Sequence, residues 1–183
     1  MIHGNTDGIR NSVLKELEEL YKINVPKYSV CTEDMINIIS RLSSQIEREI
    51  SVGINRKGKV ISVAIGDSSS VEIPLIDIHE KRLSGVRIIH THPSGVSRLS
   101  ALDISALMKL KLDTIMAIAV EEGKAKDASL GFCYVENEIL ISEEAPHLTI
   151  DKCLQINILD KINHVEEVIK TSKIGRASCR ERV

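Results

Sequence analysis

The chain has 183 residues, a formal net charge of −2 and 43% hydrophobic residues, which suits one packed domain with an appendage and argues against disorder. Aromatic residues make up only 2%, with no Trp and one Phe, so the core has to be aliphatic and base stacking on aromatic platforms is disfavoured. The near-neutral charge gives no general attraction to DNA or to a membrane surface, and no apolar run reaches transmembrane length.

After a polar, turn-rich start at Gly4 to Gly8, the residues Val13, Leu14, Leu17, Leu20 and Tyr21 recur at helical spacing over Asn11 to Tyr21. Pro26 closes this first unit. Thr32 is suited to cap a second helix, with Glu33 and Asp34 in its first turn and Met35, Ile39, Leu42 and Ile46 on one stripe. Glu49 to Ile54 and Lys59 to Ile65 read as a hairpin joined by the turn Asn55 to Gly58. A polar loop, Asp67 to Ser70, precedes a third strand at Val71 to Ile76, where Pro74 points to an edge or a bulge. Val86 to His92 reads as a fourth strand, Ala101 to Leu112 as a helix, and Ile115 to Val120 as a strand buried on both faces. Leu130 to Val135 and Glu138 to Ile141 suggest a closing hairpin around Asn137. A long helix is expected from Thr149 to about Ser172, with Ile158, Ile162, Val165 and Ile169 on one side.

The stretch with the most chemistry is Ile88-Ile89-His90-Thr91-His92-Pro93, followed by Ser100-Ala101-Leu102-Asp103. In a strand, residues i and i+2 share a face, so His90 and His92 can present both imidazoles to one point. Asp103 lies in the first turn of the next helix. Two imidazoles and a carboxylate are good Zn²⁺ ligands and leave a fourth tetrahedral position for water, whose pKa the metal lowers. A further carboxylate then has to move protons. Glu49, at the mouth of the hairpin, is the candidate, and Glu47 stands two residues away as an alternative. Ser100 is placed to hydrogen-bond an oxyanion. Plainer readings exist for each group. Ser100 and Asp103 form a capping-box pattern, the histidines can be structural, and Glu49 can be a solvated charge ending a helix. His3, His79, His147 and His164 have no spaced partners and read as surface residues. Gly53 to Val60 nearly matches a phosphate-binding loop, but Val60 replaces the required hydroxyl residue and a strand pattern follows, so a hairpin turn is expected.

The pattern His-x-His, seven residues, Ser, two residues, Asp, with an upstream Glu, resembles the JAMM (MPN-plus, Mov34) metalloprotease motif, filled here by Glu49, His90, His92, Ser100 and Asp103. The resemblance covers roughly Gln45 to Val135. It implies an α/β fold, a mixed curved sheet sandwiched by helices, related to cytidine deaminases. It also implies a zinc ion and cleavage of peptide or isopeptide bonds. Met1 to Ile9, Ile65 to Ser70, and the stretch from Arg82-Leu83-Ser84-Gly85 through Asp103-Ile104-Ser105-Ala106-Leu107 resemble the N-terminal region of HflX-type GTPases of Clostridia-like bacteria, with coverage from Met1 to about Lys173. That resemblance implies association with the large ribosomal subunit, and places GTP and Mg²⁺ in a C-terminal GTPase part absent from this chain.

The tail, Ile174 to Val183, breaks the preceding periodicity with Arg176, Arg180, Arg182 and an isolated Cys179. It resembles translated adapter of short-read sequencing libraries; the alternative is a real, solvated basic tail. The natural protein is expected to continue beyond about Lys173. The expected organisation is an N-terminal helical segment (1–30), a metal-site domain (31–146), a connector helix toward a missing GTPase part (147–173) and the artefactual tail (174–183). Scattered cysteines (Cys31, Cys133, Cys153, Cys179) without a CxxC pair, and a start lacking a signal-peptide pattern, point to a cytoplasmic protein. Two functions follow as expectations: a zinc hydrolase of amide or isopeptide bonds, or a non-catalytic regulatory or ribosome-binding module of a GTPase.

Overall fold

The computed structural model describes residues 1–71, 85–136 and 139–158, with side chains described outside 134–143. The helical spacing of the N-terminal unit forms α1 (Asn11–Glu19), which tightens into a 3₁₀ turn at Leu20–Lys22. Helix α2 (Glu33–Ile46) starts where Thr32 accepts a hydrogen bond from Met35 N–H, satisfying one of the donors that every helix start leaves open. Strands β1 (His3–Gly4), β2 (Ile50–Ile54), β3 (Val60–Ile65), β4 (Arg87–His92), β5 (Thr114–Glu121), β6 (Lys124–Glu136) and β7 (Ile139–Leu148) make one mixed sheet in the order β1-β3-β2-β4-β5-β6-β7. The pairs β1–β3 and β4–β5 are parallel and the others antiparallel. Parallel neighbours need a crossover, and α3 (Ala101–Leu110) lies in the one between β4 and β5.

The sheet is covered on both faces. Val13, Leu17 and Leu20 of the N-terminal unit join Met35, Ile39 and Leu42 of α2 over Ile89, Met116 and Ile118. On the other face Leu107 of α3 and Leu99 pack with Ile88, Ile115 and Ala117. This is the period-2 pattern of a strand buried on both sides. Gly131 of β6 faces Ile115 across the ladder. A Cβ there would stand 3.0 Å from Leu99 and 3.1 Å from both Ile115 and Leu107, so the missing side chain is what lets α3 close onto the sheet.

Arg87 is fully buried at the start of β4. Its guanidinium donates to the carbonyls of Pro26, Ser29 and Asn55, so it satisfies loop groups that would otherwise be stranded. The near-match to a phosphate loop is a hairpin turn. Asn55 Oδ1 accepts from Lys57 and Lys59 N–H, Gly58 takes φ +83°, and the chain enters β3 rather than a helix.

Three expectations are corrected. Helix α3 stops at Leu110, because Lys111 turns left-handed and Leu112 N–H returns to Leu107 O. Strand β6 begins six residues before the expected Leu130, and β7 runs on to Leu148. The added start, Lys-Ala-Lys-Asp-Ala-Ser, has little strand propensity and is held by pairing with β5 and β7. The connector helix is interrupted: α4 (Ile150–Gln155), capped by Thr149, ends at Ile156, which is extended. Asn157 then bridges to Ser29 and Ile158 N–H bonds Tyr28 O at 2.8 Å, while the Ile158 side chain enters the core. Most of the expected strand at Val71 to Ile76, the turn at Asn137, the rest of the connector, the tail, His79 and His164 lie outside the described residues. Among the described residues no helix is long and apolar enough to cross a membrane.

Two outcomes follow from this packing. Gly131→Val is expected to lower stability by about 1–3 kcal/mol through overpacking under α3, measured by urea unfolding. Burial, with Cys153 nearby, pushes the Cys31 thiol up to about 12, so above the ordinary thiol pKa the unfolded chain releases a proton that the folded chain keeps. Stability should therefore fall from about pH 9 upward, by up to ~1.4 kcal/mol per pH unit for this thiol. Cys31→Ala should flatten that slope.

Candidate metal centre

The centre is built by the C-terminal half of β4, the start of β2 and the start of α3. Alternation places His90 and His92 with Ile88 on the α3 face, while Ile89 and Thr91 face α2. The imidazole centroids are 4.7 Å apart with planes at 62°. Antiparallel pairing sets Ser51 opposite His90. Two residues back, Glu49 therefore falls beside His92, with Oε1 3.8 Å from Nε2.

Asp103 arrives from α3. Ser100 Oγ accepts from Asp103 N–H at 3.1 Å and Asp103 Oδ2 accepts from Ser100 N–H at 2.7 Å, a reciprocal capping box. The remaining oxygen, Oδ1, lies 3.3 Å from His90 Nε2. Ligand atoms of His90, His92 and Asp103 all fall within 4.8 Å of one another, a group able to hold a metal ion. Bonds of ~2.0–2.1 Å in a tetrahedron put ligand atoms roughly 3.3–3.4 Å apart, and the His90–Asp103 pair already has that spacing. His90 Nε2 is buried and faces Asp103 Oδ1 at 3.3 Å without making a well-formed hydrogen bond, an arrangement that an ion between the two atoms would satisfy. His92 Nδ1 lies 2.6 Å from the Val96 carbonyl. A proton on Nδ1 makes this a hydrogen bond and leaves the lone pair on Nε2, as ligation requires.

The electrostatics separate the two carboxylates. Glu49 is 5% exposed, and burial raises its pKa to about 7, with His90 opposing and the charges of Asp103 and Asp67 adding. Burial also pushes Asp103 upward, but the facing His90 imidazole and the hydrogen bonds with Ser100 outweigh it and hold the group at about 2. Burial and the neighbouring His90 lower the pKa of His92, against the Val96 carbonyl and Asp103. Asp103 is thus the permanent anion, and Glu49 is poised to exchange a proton near neutrality.

Comparison with protein-family models, curated proteins and solved structures finds no match.

Of the two glutamates, Glu49 reaches the centre. Glu47 is exposed, left-handed at φ 53°, and closes α2 through its N–H to Ser43 O. Ser100 is exposed at the helix start and its placement is that of a cap; a hydroxyl that accepts one bond still has a proton to donate. Sequence reasoning missed the groups that hold Glu49. Ile50 N–H donates to Thr91 Oγ1, Thr91 donates to Ser43 Oγ at 2.7 Å, and Ser43 donates to Arg48 O at 2.7 Å. This chain clasps the peptide groups on both sides of Glu49. Thr91 carries a signal for it, a hydroxyl on the buried face between two ligating positions; the Val96 carbonyl carries none.

Thr91→Val keeps the shape but leaves Ile50 N–H and the Ser43 hydroxyl without this partner. The expected loss is about 1–3 kcal/mol of stability, measured by urea unfolding, with the helical circular dichroism of the native state retained.

Proposed function

We propose that this chain is a zinc-dependent hydrolase of amide or isopeptide bonds, of JAMM type. The observation that carries the reading is the convergence of two imidazoles and one carboxylate, with a second, buried carboxylate beside them. His90, His92 and Asp103 would hold the ion, and a nitrogen–oxygen set of this kind suits Zn²⁺. Zinc bound there would polarise the amide carbonyl and make water a better nucleophile. Glu49 would take a proton from the attacking water and return it to the departing nitrogen, a role suited to a buried carboxylate beside His92 that is not itself among the ligands. Ser100 Oγ accepts from Asp103 N–H and keeps its own proton to donate to the oxyanion. The residue spacing that resembles the JAMM motif supports the same division of roles.

A second reading draws on the capping box. Asp103 already has a structural duty at the start of α3, so an ion here can be a staple that joins β4 to α3. On that reading the chain is a non-catalytic module of an HflX-type GTPase, with ribosome binding as its function.

The purified chain should carry close to one equivalent of zinc by mass spectrometry, and His92→Ala should carry almost none. Removing the metal with a chelator should lower Tm by roughly 5–10 °C, since a ligand that binds only the folded state stabilises it by a few kcal/mol. Glu49→Gln separates the readings. It should retain zinc and abolish cleavage of isopeptide-linked model substrates; zinc retention with no cleavage by the parent chain on any such substrate would favour the staple.

A further inference from the structure

Beyond the ligands lies a polar cluster that the proposed mechanism does not use. Ser97 and Ser129 are buried, 1% and 2% exposed, and both meet His147 of β7. His147 N–H donates to Ser129 Oγ at 3.1 Å, Ser129 Oγ donates to Ser97 Oγ at 3.4 Å, and Ser97 Oγ lies 3.4 Å from His147 Nδ1. Each hydroxyl has one proton to give. Ser129 gives its proton to Ser97, so Ser97 has its own left for an unprotonated His147 Nδ1, and the two hydroxyls close a ring with the ring nitrogen and N–H of His147.

The backbone is shaped for this ring. Between the pairs Ala128↔Leu148 and Leu130↔Ala145 the register slips, so Ser129 on β6 faces two residues, Pro146 and His147, on β7. Bulges of this kind re-aim side chains beside functional sites. His147 itself is left-handed, with φ 51°, a conformation that costs a non-glycine residue on the order of 1 kcal/mol and persists only where the surroundings impose it. That conformation accompanies the placing of both its N–H and its ring within reach of the serines.

The ring has a consequence one residue away. Ser97 follows Val96, whose carbonyl lies against His92 Nδ1. We propose that His147, Ser129 and Ser97 form a positioning clamp for His92: they pin the loop after β4 to the sheet, so that the Val96 carbonyl fixes the proton on Nδ1 and directs Nε2 to the metal. The proposal rests on the metal-centre reading for its last step, while the tautomer of His92 can be read without any metal. His147 is exposed, so changing it should not unfold the chain.

The test compares His147→Gly, which suits the left-handed backbone but has no side chain, with His147→Asn, which tolerates that backbone and offers an amide to Ser97. Nitrogen–proton imidazole NMR on the metal-free chain, at mildly alkaline pH, reads the His92 tautomer. Co²⁺ titration reads the affinity and visible spectrum of the centre. The parent chain and His147→Asn should show the Nδ1–H form of His92 and equal Co²⁺ affinity. His147→Gly and Ser97→Ala should show mixed tautomers, a shifted Co²⁺ spectrum and affinity down by about 10-fold, the scale expected for a partner that orients a ligand. An unchanged His92 tautomer in both His147→Gly and Ser97→Ala would overturn the clamp. A parent chain that takes up no Co²⁺ would instead overturn the metal reading, and the tautomer would still decide the clamp.

Discussion

Strand β4 uses both of its faces for polar work, and the alternation of a β-strand is the constraint that makes this possible. One face carries His90 and His92, which with Asp103 could hold a cation; the other sends Thr91 to Ser43 and, further back, Arg87 to the loop carbonyls. Because Thr91 sits between the two histidines, the hydrogen bonds it makes on the α2 side fix the height at which β2 begins. That height sets where Glu49 stands relative to His92. Thr91 thus ties α2 to the start of β2 beside the candidate centre.

The two carboxylates show how environment divides labour between like groups. Asp103 has a helix start, the Ser100 N–H and an imidazole to favour its charge. Glu49 has mainly burial, which disfavours charge. The separation arises from where the chain puts each group, since the unperturbed values of the two side chains are nearly equal.

Much of this was legible from residue order. The apolar stripes of α1 and α2, the Thr32 cap, the hairpin at Asn55–Gly58 and the convergence of His90, His92 and Asp103 all follow from local periodicity and spacing. The rest depends on contacts between distant segments. The early start of β6 and the Pro146–His147 bulge are set by the neighbouring strands. The break at Ile156 follows from backbone partners at Tyr28 and Ser29, which no helical pattern around Ile158 reveals. His147 read as a plain surface residue because its significance lies in a backbone angle and a register slip, neither of which has a side-chain signature.

The capping box leaves the chain little freedom to evolve at one position. Asp103 offers one oxygen to the peptide group of Ser100 and the other to the space before His90. A change of residue that tuned the preference for one cation over another would at the same moment alter where α3 begins. The carboxylate that could hold an ion is therefore the same one that sets the start of α3, and any substitution at Asp103 would touch both.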